Sequence, residues 1–312
     1  MADDTPFDPR TPFSRAEARL AGLPADNLLS SGYRRLFHDS YVSADVKVTV
    51  HLLARAALKI AGPGGRICHS TAAVLLGGCV PDDADVHVAF PPGRHRSRRD
   101  GLRSHRVSLG DQVVWHRSLP MSSPTQCVLE MATSLGLVDL VVLGDSLVKA
   151  GVVTPGELVD GAEAYTGPGA RLARRAMGLV REGVDSPMET RLRLLLVLAG
   201  LPEPVVAHEL CDDDGRVVVR LDLCWPGWRV AVEYEGRHHA ESTTQWQHDI
   251  TRREVLDHRR VRLVVVRSDG IYADPGATLR RVEQALVDQG VVGVTVRDDT
   301  WRRYFPGYRH AA

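Results

Sequence analysis

Lysine is nearly missing from this chain of 312 residues: Lys47, Lys59 and Lys149 stand among 39 basic residues, and the others are arginine. Such a bias reflects a GC-rich genome and says little about function. It does exclude lysine from any catalytic role beyond position 149. Cysteine is sparse too. Cys68, Cys79, Cys127, Cys211 and Cys224 are odd in number, widely scattered and form no C-x-x-C pair. That arrangement argues against a disulfide framework and against a thiolate zinc site. No apolar run is long enough to cross a bilayer. The start, MADDTPFDPR, lacks the basic opening and apolar stretch of a signal peptide, so a cytoplasmic protein is expected. The formal net charge is +0, which argues against non-specific coating of nucleic acid but permits a local basic patch.

What is present has room for two or three domains at this length. Ser14-Arg15-Ala16-Glu17 has the spacing of a capping box and opens a helix through Leu20. Residues 25–31 suggest a second helix, and Tyr33 to Val42 a strand or hairpin. Helix, turn, helix, wing is the order of a winged-helix DNA-binding unit. In the middle segment, helices are expected over 46–61, 69–77, 123–135, 138–150, 157–164 and 167–181, with strands at 86–90 and 107–115. Between those strands Arg94, Arg96, Arg98, Arg99, Arg103 and Arg106 crowd into thirteen residues. They suit phosphates on a DNA backbone; the plainer reading is a solvated hairpin loop, with Gly93 and Gly101 marking its exposure.

The last segment opens with Ser186-Pro187-Met188-Glu189, an N-cap with proline at the first helical position, and a helix to Ala199. Strands follow over 205–210, 217–223 and 229–235, then a helix over 242–259, a strand over 263–267 and a helix over 275–287. Helix, three strands, helix, strand is an α/β layered core. Alternation puts Glu233 and Glu235 on one face of the third strand, beside Ala231. Across the turn, Asp222 is expected near Ala231, within diagonal reach of Glu233. Three carboxylates on one apolar surface repel each other unless a cation compensates, and hard oxygen ligands suit Mg²⁺. The plainer alternative is a solvated strand whose acids meet arginines.

Arg220-Leu221-Asp222, then Glu233-Tyr234-Glu235-Gly236 and His239, resemble the PD-(D/E)XK nuclease signature, in the form seen in domains related to very-short-patch-repair endonucleases. The similarity takes in Glu189, the stretch Gln245-Trp246-Gln247-His248-Asp249, and Arg252. The resemblance implies a restriction-endonuclease-like core over 183–312 in which Asp222 and Glu233 hold Mg²⁺, with Mn²⁺ as a substitute. It implies that Glu189 joins through water, that His239 is a general base, and that Arg252 steadies phosphate charge. Plainer roles stand beside these. Glu189 occupies the N3 position of a capping box, His239 suits a surface position, and Arg252 is spaced for an ion pair with Asp249. The sequence departs from the signature in two places. Glu235 stands where the motif ends in lysine, and Arg260-Val261 where those relatives carry Gly-Trp.

The N-terminal part resembles AbiEi-type antitoxins, which join a winged helix to an α/β regulatory domain. Phe13-Ser14-Arg15, Gly32-Tyr33-Arg34-Arg35, Tyr41-Val42, Ser70-Thr71-Ala72-Ala73 with Leu75, and Ser123-Pro124-Thr125-Gln126 carry that resemblance, and Asp39 departs from a usual glycine. It implies a winged-helix-like unit over 1–45 and an AbiEi-like middle domain over 46–180. The expectation is a Mg²⁺-dependent DNA endonuclease with an N-terminal DNA-binding part. The alternative is a DNA-binding, antitoxin-like regulator whose nuclease core is inactive. A zinc hydrolase built on His238, His239, His248 and Asp249 fits poorly, because adjacent histidines point to opposite faces of a strand. The sequence leaves a homodimer or a partner toxin open.

Overall fold

The computed structural model describes residues 7–106, 112–236, 252–296 and 299–307. The fold is α/β, with sheets flanked by helices. It divides into two units: Met1–Leu135 with Gly156–Arg174, and Gly136–Pro155 with Arg175–Ala312.

In the first unit, α1 (Arg15–Leu20) starts at Ser14, whose side chain accepts from the Glu17 backbone while the Glu17 carboxylate accepts from the Ser14 backbone. Residues expected to form a second helix make only a five-residue 3-10 turn, Ala25–Leu29, too short to lie along a DNA groove. The hairpin β1 (Tyr33–Phe37) and β2 (Ser40–Ser43) follows, with Phe13, Ala18, Leu28 and Tyr41 as its small core. Next come α2 (Val50–Ala61), β3 (Arg66–Ile67), α3 (His69–Leu75), β4 (Val86–Phe90), β5 (Leu102–Arg106), β6 (Val113–His116), β7 (Leu119–Ser122) and α4 (Pro124–Met131). The five strands form one sheet in the order β5-β4-β3-β7-β6. β5 is a departure from expectation: Leu102–Arg106, read as part of a basic hairpin loop, is a strand pairing parallel to β4. The connection over 91–101 is therefore a crossover and not a hairpin.

α5 (Leu137–Lys149) belongs by contact to the second unit, although its sequence position suggested the middle domain. α6 (Pro155–Ala164) lies in the first unit, and α7 (Ala170–Met177) carries the chain from one unit to the other. Then come α8 (Pro187–Leu198), β8 (Val205–Cys211), β9 (Val217–Trp225), β10 (Val230–Tyr234), a helix α9 over 252–258, β11 (Arg262–Val266), α10 (Ser268–Tyr272) and α11 (Pro275–Asp288). The sheet order is β11-β10-β9-β8; β10 runs antiparallel to β9 and parallel to β11. α8 is buried almost all round through Leu192, Leu194, Leu195 and Leu196. Its fully buried Arg193 donates to Asp145 of α5 at 2.8 Å. Asp145 also accepts from Thr190 and from the Arg181 backbone, so the inward carboxylate is paired and hydrogen-bonded on several sides, while Arg193 Nε is buried without a partner. Among the described residues no helix is long and apolar enough to cross a membrane.

Candidate functional site

β9 and β10 are joined by a 3-10 turn, Pro226–Trp228, closed by Arg229 in the left-handed region at φ 53°. That turn sets the register: Val230 faces Trp225, Ala231 faces Cys224, and Val232 faces Leu223. The next step brings Glu233 opposite Asp222. This corrects the expected pairing of Asp222 near Ala231; the turn is longer than the tight hairpin the sequence suggested. Directly opposed residues share a face, so the two carboxylates point to the same side of the sheet.

Here the two strands part. Asp222 Oδ2 accepts the Tyr234 backbone N–H at 2.9 Å, taking the place of a strand partner. β10 instead continues along β11, with Tyr234 beside Val266 and the Glu235 N–H donating to the Val266 carbonyl at 2.8 Å. The parting opens a cleft of about 700 Å³, whose lining includes Glu189, Asp222, Glu233, Glu235 and Arg252.

Glu189 enters from the start of α8. Its backbone N–H donates to Ser186 Oγ at 3.2 Å, and its carboxylate accepts from the Asp185 backbone at 2.9 Å. Its charge also bears on Asp222 and Glu233. The helix cap is present, and the same side chain lines the cleft.

The electrostatics are those of acids crowded out of water. Burial pushes the Glu233 carboxyl up to about 7, and Asp222 and Glu189 push the same way against the opposing Arg252 guanidinium. Burial also raises Asp222, with Asp185 adding to it and the Tyr234 bond opposing. Glu189 rises for the same first reason, helped by Asp222 and Asp185. The Arg252 Nη2 group contacts Glu233 Oε1 directly, although only 12% of the Glu233 side chain is exposed. A guanidinium is thus the positive charge that this buried carboxylate has drawn in. Arg252 was expected at the phosphate; it lies on the acid, within the same cleft. Buried hard oxygen donors that repel one another, and that Arg252, with Arg220 acting on Asp222, compensates in part, fit a divalent cation. Asp222, Glu233 and, at longer range, Glu189 are the side chains that would hold it.

Glu235 is drawn away from this group. Its carboxylate accepts from Arg267 Nε at 3.1 Å and Nη2 at 3.0 Å at the exposed mouth of the cleft. The third converging acid is Glu189, on a helix, and not the next acid along β10. His239 and the 245–249 stretch lie outside the described residues. Two contributors carry little signal in the sequence. Arg220, a member of the motif with no role implied for it, ion-pairs with Asp185 and donates to the Gly183 carbonyl at 2.8 Å. Asp185 itself, by its like charge, pushes the Asp222 carboxyl up; its one sequence signal is its place just ahead of the Ser186 cap.

The arginines proposed for DNA lie in the first unit. Arg94 donates to the Ala61 carbonyl at 3.0 Å, Arg99 to the His38 carbonyl at 2.7 Å, and Arg103 pairs with Asp85 at 2.9 Å. Arg96 and Arg98 are exposed and line, with Arg99, Arg103 and Arg106, a cleft of about 660 Å³. Three of the five candidates therefore spend donors on the fold itself.

No protein-family model matches the chain. It is similar to two proteins of Mycobacterium tuberculosis, "Uncharacterized protein MT2308" of strain CDC 1551 / Oshkosh and "Uncharacterized protein Rv2248" of strain ATCC 25618 / H37Rv. Each is 24% identical over 220 residues, covering 70% of this chain and 80% of the relative.

Proposed function

We propose that the second unit is a metal-dependent nuclease that hydrolyses DNA phosphodiester bonds, with Mg²⁺ as its working ion and Mn²⁺ as a substitute. The observation that carries this reading is the opposition of Asp222 and Glu233 at the point where β9 and β10 part, with Glu189 reaching the same cleft. The bound ion supplies charge to polarise the scissile phosphate and to acidify a water. The protein's own groups do the remaining work. The Tyr234 N–H fixes the Asp222 carboxylate, the Ser186 cap fixes Glu189, and burial keeps competing water away from Glu233. Arg252, which contacts Glu233 here, would be free to meet a phosphate oxygen if a cation held that carboxylate in its stead. His239 holds the general-base role only through the resemblance, and the PD-(D/E)XK relationship itself stays part of the proposal. Arg96 and Arg98 would add sequence-independent grip on the duplex. A cytoplasmic location goes with such a substrate.

A second reading has an observation in its favour. Glu233 and Glu235 are both tied to arginines, and no lysine stands at the position that ends the usual motif. A DNA-binding, antitoxin-like regulator with a silent nuclease core would tolerate both. The test is incubation with supercoiled, linear and branched DNA in Mg²⁺ or Mn²⁺, beside Asp222→Ala. The nuclease reading expects cleavage that the substitution abolishes. Cleavage that persists removes the site assignment, and binding without cleavage on every substrate establishes the regulator.

A further inference from the structure

Away from the carboxylate cleft, the sheet of the first unit gathers three histidines and a cysteine. Cys68 follows β3, and its N–H donates to the His87 carbonyl at 3.2 Å, which sets it beside β4. The parallel register puts Arg103 beside His87 and His105 beside Ala89. His87 and His105 are therefore diagonal neighbours on one face. His69 begins α3 at φ 50°, a left-handed conformation that non-glycine residues rarely adopt. Its ring stacks on that of His105, with centroids 3.6 Å apart and planes 21° from parallel, so ligation of one ion by both requires the rings to turn out of this stack. One ligand atom each from Cys68, His69 and His105 then lies within 4.8 Å of the other two.

The surroundings are those of metal ligands held in orientation by outer groups. Asp83 Oδ2 lies 2.8 Å from His87 Nε2, and His87 Nδ1 lies 3.0 Å from His105 Nε2. This chain of bonds fixes the His105 ring and leaves its other nitrogen for the cluster. His69 Nδ1 is buried and has no hydrogen-bond partner. The Glu130 carboxylate, 3.4 Å away, accepts the His69 backbone N–H at 2.8 Å. Glu130 thus sits where a carboxylate would take the Nδ1 proton of an imidazole ligating through Nε2.

We propose that Cys68, His69 and His105 bind a divalent transition-metal ion of the Zn²⁺ class, with a fourth position left for water or an added ligand. Mixed thiolate and imidazole donors select borderline-soft ions over Mg²⁺, so this site is chemically distinct from the cleft of the second unit. Cysteine spacing along the chain gave no sign of it, because its ligands come from two neighbouring residues and a strand nearly forty positions on.

The test is titration of chelator-stripped full-length protein with Co²⁺, read by absorption. The expected result is one equivalent that gives a thiolate-to-cobalt charge-transfer band in the near ultraviolet and the strong visible bands of a four-coordinate ion, displaced by Zn²⁺; any Co²⁺ held by the carboxylate cleft adds no such band. Cys68→Ser and His105→Ala remove the charge-transfer band. Asp83→Asn weakens binding about 10–100-fold through the outer chain. Asp222→Asn leaves the band in place, because that carboxylate site offers no thiolate. Wild-type protein that binds Co²⁺ without a thiolate band, or binds none, overturns the proposal even if the variants fail to fold. A band that survives Cys68→Ser in folded protein overturns it as well.

Discussion

At the scale of single residues, strand position makes neighbours of two carboxylates, and the proposed chemistry starts from that pair. Asp222→Ala or Glu233→Gln should lower Mg²⁺-dependent DNA cleavage by more than about 100-fold, a larger loss than an outer-shell change gives. Circular dichroism should show the fold retained. Glu233 also predicts a pH signature. Its carboxyl stands at about 7 in the folded chain against an ordinary value of 4.5. Between those values the folded state keeps a proton that the unfolded chain releases. The stabilising contribution is therefore complete below pH 4.5 and lost as pH rises through 7. Denaturant melts at about pH 5.5 and about pH 8 should show a fall in wild type that Glu233→Gln makes smaller, the raised Asp222 and Glu189 carboxyls leaving a remainder of the same sign. The same proton competes with a metal ion, so apparent Mn²⁺ affinity should climb by up to about tenfold per pH unit below about 7 and level off above it. Affinity indifferent to pH across that range would detach Glu233 from the ion.

At the scale of elements, the parting of β9 from β10 creates the cleft, and the packing of α8 on α5 holds the third acid at its edge. Arg193 and Asp145 lock those two helices from inside. Arg193→Ala strands a buried carboxylate and should cost about 3–5 kcal/mol, measured by chemical denaturation; a cost near zero would mean that the pair is not the lock. Much at this scale was legible in the sequence. The order of α8, β8, β9, β10, α9, β11 and α11 follows from apolar periodicity and from the Ser186 cap. The direct opposition of Asp222 and Glu233 was not legible, because it depends on Arg229 adopting a left-handed conformation after a 3-10 turn. Glu235 looked like a site acid by alternation alone; Arg267, from just beyond a strand that lies far along the chain, decides otherwise. Glu189 was split between cap and site, since what its carboxylate faces depends on tertiary packing. The parallel pairing of β4 with β5 was hidden for a similar reason: a short, glycine-flanked connection reads as a hairpin unless the register is known.

At the scale of the whole molecule, zero net charge rules out affinity for DNA by bulk attraction, so binding must come from local clusters. Arg96 and Arg98 are exposed in the basic crossover, as is Arg94, which donates to the Ala61 carbonyl. Replacing both with Gln should weaken DNA binding without regard to sequence. It should also reduce the slope of log affinity against log salt by about 0.9 for each phosphate that is no longer neutralised. An unchanged slope would return the segment to the role of a solvated crossover. The nuclease reading turns on positions 222 and 233 sharing one ion. The direct measurement is Mn²⁺ titration followed by electron paramagnetic resonance, at about pH 8 where Glu233 has given up its proton, for wild type, Asp222→Asn and Glu233→Gln. The predicted result is one equivalent of tightly held Mn²⁺ in wild type and none in either variant. Wild type that leaves all its Mn²⁺ free, or variants that hold the ion as wild type does, would contradict it.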